Sequence, residues 1–152
     1  MSSVLTVPFE IVTPERLVLE QDVRMVTLLG GFGELGILPR HMALATAVQP
    51  CLVRIRLEDG REDVVPVSGG FVEILPERIT LLADTAELPG QIDVERAQRA
   101  KERAERRLGQ TAEDVDPDRA KAALTRANLR LEAVAEHQRL NGFLGSTQEA
   151  RV

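Results

Sequence analysis

The sequence predicts a β domain, an antiparallel sandwich or barrel, followed by an antiparallel two-helix hairpin. Three observations predict it. Short β-branched runs separated by turn residues recur at roughly 8–12-residue intervals up to about residue 85. The texture changes at Pro89-Gly90 to Ala, Arg, Glu and Leu, with no further glycine until Gly109. Past that point the apolar residues fall at helical spacing.

In the first part, residues 4–12 alternate loosely and end at Thr13-Pro14-Glu15. Residues 23–29 form a β-branched run closed by Gly30-Gly31. Residues 51–57 alternate, with Leu52, Arg54 and Arg56 against Val53, Ile55 and Leu57. Glu58-Asp59-Gly60-Arg61 closes that run, and Asp-Gly is a strong hairpin signal. Residues 62–67 answer it, and Pro76-Glu77 joins 71–75 to 78–83. With no Trp, no Tyr and four Phe in a chain that is 43% hydrophobic, the core must be aliphatic.

In the second part, Asp93 is placed to cap a first helix whose apolar stripe is Ala97, Ala100, Ala104 and Leu108, with Gly109 as its C′ residue. An acidic loop over 114–118 follows. Asp116 caps a second helix with Pro117 at its first position and a stripe of Ala120, Leu124, Ala127, Leu131 and Val134. Alanine seams let helices lie close but bury little area, so the hairpin is expected to be marginal alone and to need a partner or ligand. The expected organisation is a β domain over 1–89, a hairpin over 90–140, and a flexible Gly/Ser/Thr/Gln-rich tail over 141–152.

Charge narrows the function. A net charge of −5 argues against a nucleic-acid binder. The first 91 residues carry the acidity; residues 92–140 are densely charged but nearly balanced, as a solvated helical surface would be. One cysteine, Cys51, rules out an internal disulfide, fits a reducing compartment, and reads as a small packed hydrophobe. The amino terminus lacks a basic region and a long apolar run, and no stretch approaches 18 apolar residues, so neither a signal peptide nor a membrane span is expected. Contact with a membrane protein from outside stays open.

The individual motifs are bland. Gly30-Gly31-Phe32-Gly33-Glu34-Leu35-Gly36 lacks the Gly-Lys-Ser/Thr of a phosphate loop and reads as a wide turn, of a kind that also serves as a docking loop. His41 and His137 stand apart from any carboxylate cluster, so no metal site is visible. Ser68 sits in Val67-Ser68-Gly69-Gly70, not in a nucleophile elbow, and no catalytic residue is assigned. The arginines are the sharpest local signal. Arg96, Arg99, Arg103, Arg106 and Arg107 fall on the first helix, Arg126 and Arg130 on the second. Arg96 and Arg103 are two turns apart, and Arg126 and Arg130 one, so each pair shares a face. If the hairpin closes, these four converge and offer bidentate donors suited to phosphate. On spacing alone, a solvated or salt-bridged helix surface is the better explanation.

The ordered set of motifs carries more than any one. Gly33-Glu34-Leu35-Gly36-Ile37-Leu38-Pro39-Arg40-His41, then Val67-Ser68-Gly69-Gly70-Phe71-Val72-Glu73-Ile74, then Thr80-Leu81-Leu82-Ala83-Asp84-Thr85-Ala86-Glu87, resembles the epsilon subunit of bacterial F-type ATP synthases, over about residues 5–137. The resemblance implies a ten-stranded β-sandwich with a C-terminal helical hairpin. It implies a non-catalytic subunit of the rotating central stalk, bound to the gamma subunit and to the ring of c subunits, coupling proton-driven rotation to ATP synthesis. It places the chain peripherally, on the cytoplasmic face of the bacterial inner membrane. Glu34 and His41 match positions that face the polar loops of the c-ring. The family's usual Pro-Gly-His stands here as Pro39-Arg40-His41.

Some members of the family bind ATP as a regulatory ligand on the folded hairpin through an Ile/Leu-Asp-x-x-Arg-Ala motif. It stands here as Ile92-Asp93-Val94-Glu95-Arg96-Ala97, and the outlying positions Glu87, Arg103, Arg126 and Arg130 match as well. The resemblance therefore implies a hairpin held compact by ATP. Without ATP it would extend along gamma to meet the beta and alpha subunits and inhibit ATP hydrolysis. The competing reading is a stand-alone nucleotide-binding sensor; a small hydrolase on a β-sandwich is a third.

Overall fold

The computed structural model describes residues 5–110 and 115–146, with nine strands among them. In chain order these are β1 (Val7–Val12), β2 (Leu17–Val23), β3 (Met25–Gly30), β4 (Gly33–Ile37), β5 (Leu44–Val48), β6 (Cys51–Arg56), β7 (Glu62–Val67), β8 (Gly70–Leu75) and β9 (Arg78–Ala83). The sheet runs β2-β1-β9-β8-β5-β3-β6-β7, with β4 paired to β3. Every pairing is antiparallel except β1 with β9, so the first and last strands of the domain close on each other in parallel.

The sandwich core is aliphatic, as the composition demanded. Ile11, Val26, Ile37, Val53, Ile55, Val65, Val72, Ile74 and Leu81 are fully buried, and Phe9 is the one fully buried aromatic among the described residues. Alternation in β1, β3, β8 and β9 turns these residues inward and leaves their neighbours at the surface. Cys51 is half-buried against this core, and burial pushes its thiol up from its ordinary value, so it stays protonated and inert.

Three strands were not legible as such. β2 and β5 lack clean alternation, and two of the five residues of β4 are glycines. The glycine-rich stretch is therefore a tight hairpin whose second arm is β4, with Gly31 and Phe32 at its tip, rather than one wide turn. The resemblance implied ten strands; nine lie among the described residues.

A 3-10 turn over Pro89–Gln91 leads into α1 (Val94–Leu108) and α2 (Pro117–Arg139). Both expected caps form. The Asp93 carboxylate accepts from the Arg96 N–H, and that of Asp116 from those of Asp118 and Arg119, with Pro117 opening the helix. Gly109 differs from the expected C′ role. It is the C-cap itself, at φ −81°, and its N–H bonds to Glu105 and Arg106 carbonyls without a left-handed turn. Of the expected acidic loop, Asp114 lies outside the described residues.

The helix seam is alanine. Ala97 and Ala104 of α1, and Ala120 and Ala127 of α2, are buried; Leu124, Leu131 and Val134 are half-buried. α2 has a second packed face that the stripe analysis missed. Ala133, fully buried, and His137 lie one turn apart on the side toward β6 and β7. That contact explains β7, where Val64 and Pro66 are buried on the face away from the sandwich core. The flexible tail does not hold for residues 141–146. Leu144 is fully buried within the sandwich core cluster, and Phe143 packs beside it. The remainder of that tail lies outside the described residues.

Candidate functional site

The hairpin packs so that arginines of both helices face one groove. Arg103 and Arg107 line it from α1, and Arg126 and Arg130 from α2, over a floor of Ala100, Ala104, Ala120 and Ala127. The alanines make this possible: small side chains at the seam leave about 190 Å³ between the guanidinium stems. Beside the groove lies a second hollow of about 230 Å³, lined by Glu87, Gln91, Asp93, Arg96, Ala97 and Arg130. A third, of about 250 Å³, lies between α2 and the sandwich loops, where Arg16, Ser68, Thr85 and Glu87 meet Arg126 and Arg130. Each alone falls short of the ~300 Å³ at which small-molecule pockets begin. Arg130 lines all three.

The charges are poorly matched. Arg130 Nε sits 3.4 Å from Glu87 Oε1, in a pair that is partly open to solvent. Arg96, Arg103, Arg107 and Arg126 make no ion pair among the described residues. Neighbouring guanidinium groups repel; no carboxylate lines the groove between the helices, and of those in the adjoining hollows, Glu15, Glu87 and Asp93, only Glu87 pairs with a groove arginine. That surplus, over a floor of alanines, is an anion-binding arrangement.

The sequence-predicted residues divide into roles. Arg103, Arg126 and Arg130 line one groove and Glu87 pairs with Arg130; Arg96, expected to converge with them, lines the neighbouring hollow instead. Arg96 and Ala97 sit in the adjoining hollow. Asp93 lines it too, but its carboxylate is already engaged as the helix cap. Ile92 is half-buried, its N–H bonded to the Pro89 carbonyl, and is absent from the lining of all three hollows. Sequence reasoning did not select Arg107, although its spacing of four from Arg103 put both on one face. Arg16 was not legible: it lies on a loop of the sandwich and reaches the site only through tertiary packing.

Glu34 lies near the start of β4 and His41 just beyond its end. Glu34 is exposed and borders a hollow of about 180 Å³ beneath the β3–β4 tip; His41 does not line that hollow. Its Nδ1 lies 2.7 Å from the Met42 carbonyl, which fixes the proton on Nδ1. Around these residues the surface is apolar and uncovered: Phe32 is fully exposed, Met42 76% and Leu38 54%. Among the described residues no group of side chains is arranged to hold a metal, and no helix is long and apolar enough to cross a membrane.

A β-sandwich carrying an alanine-seamed hairpin, with an arginine groove at their junction and an exposed apolar loop end, defines a small two-part subunit built for contacts. Residues 6–89 match the family described as ATP synthase, Delta/Epsilon chain, beta-sandwich domain, and residues 91–135 the one described as ATP synthase, Delta/Epsilon chain, long alpha-helix domain. Among curated relatives, the ATP synthase epsilon chain of Halalkalibacterium halodurans is 49% identical over 84% of this chain and 96% of its own. That of Moorella thermoacetica is 48% identical over 82% and 92%. A chain in the cryo-EM structure of the Euglena gracilis mitochondrial ATP synthase, OSCP/F1/c-ring in rotational state 1, superimposes with a TM-score of 0.71 at 23% identity, covering 86% of this chain and 81% of that one, and so shares the fold. The chain belongs to the ATP synthase delta/epsilon family, as a non-catalytic subunit of the epsilon type.

Proposed function

We propose that this chain serves in the central stalk of a bacterial F-type ATP synthase, and that ATP sets the position of its hairpin. The β-sandwich couples stalk and ring: it docks on the gamma subunit and sets the loop end with Glu34, His41, Phe32 and Met42 against the c-ring, at the cytoplasmic face of the membrane. The exposed apolar residues there favour a protein partner over solvent. The hairpin regulates hydrolysis. In the compact state the ATP phosphates neutralise Arg103, Arg126 and Arg130, with Arg96 and Glu87 bordering the nucleotide. Without ATP the guanidinium groups repel, the hairpin opens, and its basic face reaches toward the beta and alpha subunits. ATP that binds only the compact state shifts the population toward it.

The observation that carries this reading is the groove where Arg103, Arg107, Arg126 and Arg130 meet with no carboxylate in its lining, Glu87 reaching only Arg130 from beside it. A salt-bridged surface would have matched those charges. ATP titration of the isolated chain by calorimetry tests it. Arg103→Ala and Arg126→Ala should each weaken binding by roughly tenfold or more, the scale of one hydrogen bond to a charged group. Unchanged affinity in both would remove the arginine groove as the nucleotide site. Co-purification with the gamma subunit separates a stalk subunit from a stand-alone sensor, which has no need of that partner.

A further inference from the structure

The family match ends at residue 135, and the chain continues. α2 runs on to Arg139 and stops in a Schellman turn: the Asn141 N–H bonds to the Gln138 carbonyl at 3.2 Å and the Gly142 N–H to that of His137 at 2.8 Å. Asn141 takes the left-handed conformation this needs, at φ 51°. The turn sends the chain back toward the sandwich, and the returning strand ends on Asp63.

Asp63 is fully buried in β7. Its carboxylate accepts from the Val64 N–H at 2.8 Å, from Phe143 at 2.9 Å, from Leu144 at 2.8 Å, and from the His137 Nδ1–H at 3.0 Å. Three of those four donors belong to the end of the hairpin. Leu144 sinks into the sandwich core, its carbonyl accepts from the Gly90 N–H at 3.0 Å, and the Arg61 guanidinium covers the Phe143 ring at 4.9 Å. Gly142 is the passage point: a Cβ there would lie 2.2 Å from His137 Nδ1 and 2.5 Å from both Asp63 oxygens.

We propose that residues 141–146 are a latch that holds α2 against the sandwich through contacts separate from the arginine groove, so that the opening favoured by loss of ATP also requires this segment to be released. The contact is all-or-none. Swinging α2 away removes His137, Phe143 and Leu144 from Asp63 together, strands a buried carboxylate, and opens a hole where Leu144 sat. With only the Val64 N–H remaining, the carboxylate loses three of its four donors at once, so partial release is unfavourable. The latch is intramolecular and lies outside the arginine groove, so it acts whether or not that groove takes ATP.

Two full-chain variants test this. Asp63→Asn keeps the volume but replaces one accepting oxygen with an NH2, so whichever way the amide turns, either the Val64 N–H or the Phe143 and Leu144 N–H groups face a donor. Gly142→Ala wedges a methyl between His137 and Asp63. Hydrogen exchange is followed without nucleotide, so the result is independent of the ATP reading. Protection in α2 is expected to fall by roughly tenfold to a hundredfold in both variants, while β1, β3 and β9 stay within about twofold of the parent. Unchanged α2 protection in both overturns the latch. Equal loss in sandwich and hairpin also overturns it, because the segment would then be ordinary core rather than a clasp between two parts.

Discussion

The sandwich and the hairpin are built from different currencies of stability. The sandwich fills its centre with Phe9, Ile11, Ile55, Ile74 and Leu81, each fully buried. Side chains of that size contribute about 1.5–3 kcal/mol apiece on burial. The buried residues of the two helices are all alanines: Ala97, Ala104, Ala120, Ala127 and Ala133. A methyl is worth about 0.8 kcal/mol, so the hairpin depends on further contacts along α2 and just beyond it. There the contacts are polar: Glu87 with Arg130, Arg54 with Glu136, and the buried Asp63 with the segment after α2. One region is fixed by area removed from water. The other is held by contacts that a ligand or partner can compete with, which is what a regulatory element requires.

The largest effect should fall in the sandwich. Phe9→Ala is expected to lower the unfolding free energy by about 3–5 kcal/mol, read from the urea midpoint. A loss under about 1 kcal/mol would mean that the core is not where the stability lies. The seam should respond differently. Ala127 is 1% exposed, and Ala127→Leu forces about 1–3 kcal/mol of overpacking into the helix pair. Hydrogen exchange should then speed up in α1 and α2 and leave the strands unchanged. If the strands loosen equally, the two regions are one cooperative unit and the contrast fails.

How much of this was legible follows the same divide. Strands with clean alternation, such as β6, and turns with strong chemistry, such as Asp59-Gly60, showed in the sequence because local pattern and tertiary role agree there. β4 was hidden by its glycines, and β5 by exposure on most of its length. The helices were legible through Asp93, Asp116 and the alanine stripes, and spacing put Arg103, Arg126 and Arg130, though not Arg96, in one groove. Arg16 and the Asp63 cluster were not legible. Asp63 looks like one more hairpin-turn acid beside Glu62, and its burial depends on residues some 80 positions later. The polar composition of residues 141–152 suggested fraying because composition cannot show that Phe143 and Leu144 have a carboxylate and a core to reach.

Left-handed residues give the smallest and cleanest test of the contrast, since each region holds one that is not glycine. In the hairpin it is Asn141, whose short polar side chain tolerates φ 51°. In the β domain it is Arg40, at φ 64°. The His41 N–H bonds to the Leu38 carbonyl at 3.2 Å with Pro39 at the second position, which makes a type II turn, and the third position of that turn calls for glycine. Arg40 keeps the conformation that the family's usual glycine would take, held by its N–H to the Pro76 carbonyl at 3.0 Å. Arg40→Gly should therefore stabilise the sandwich by about 1 kcal/mol, and Asn141→Gly should change the hairpin by only a few tenths. Both are read from denaturation midpoints at unchanged slope. If Arg40→Gly is neutral or destabilising, the arginine side chain is making a contact that offsets its backbone strain. The charge at this loop end would then belong to the structure of the isolated chain rather than to a surface kept for a partner.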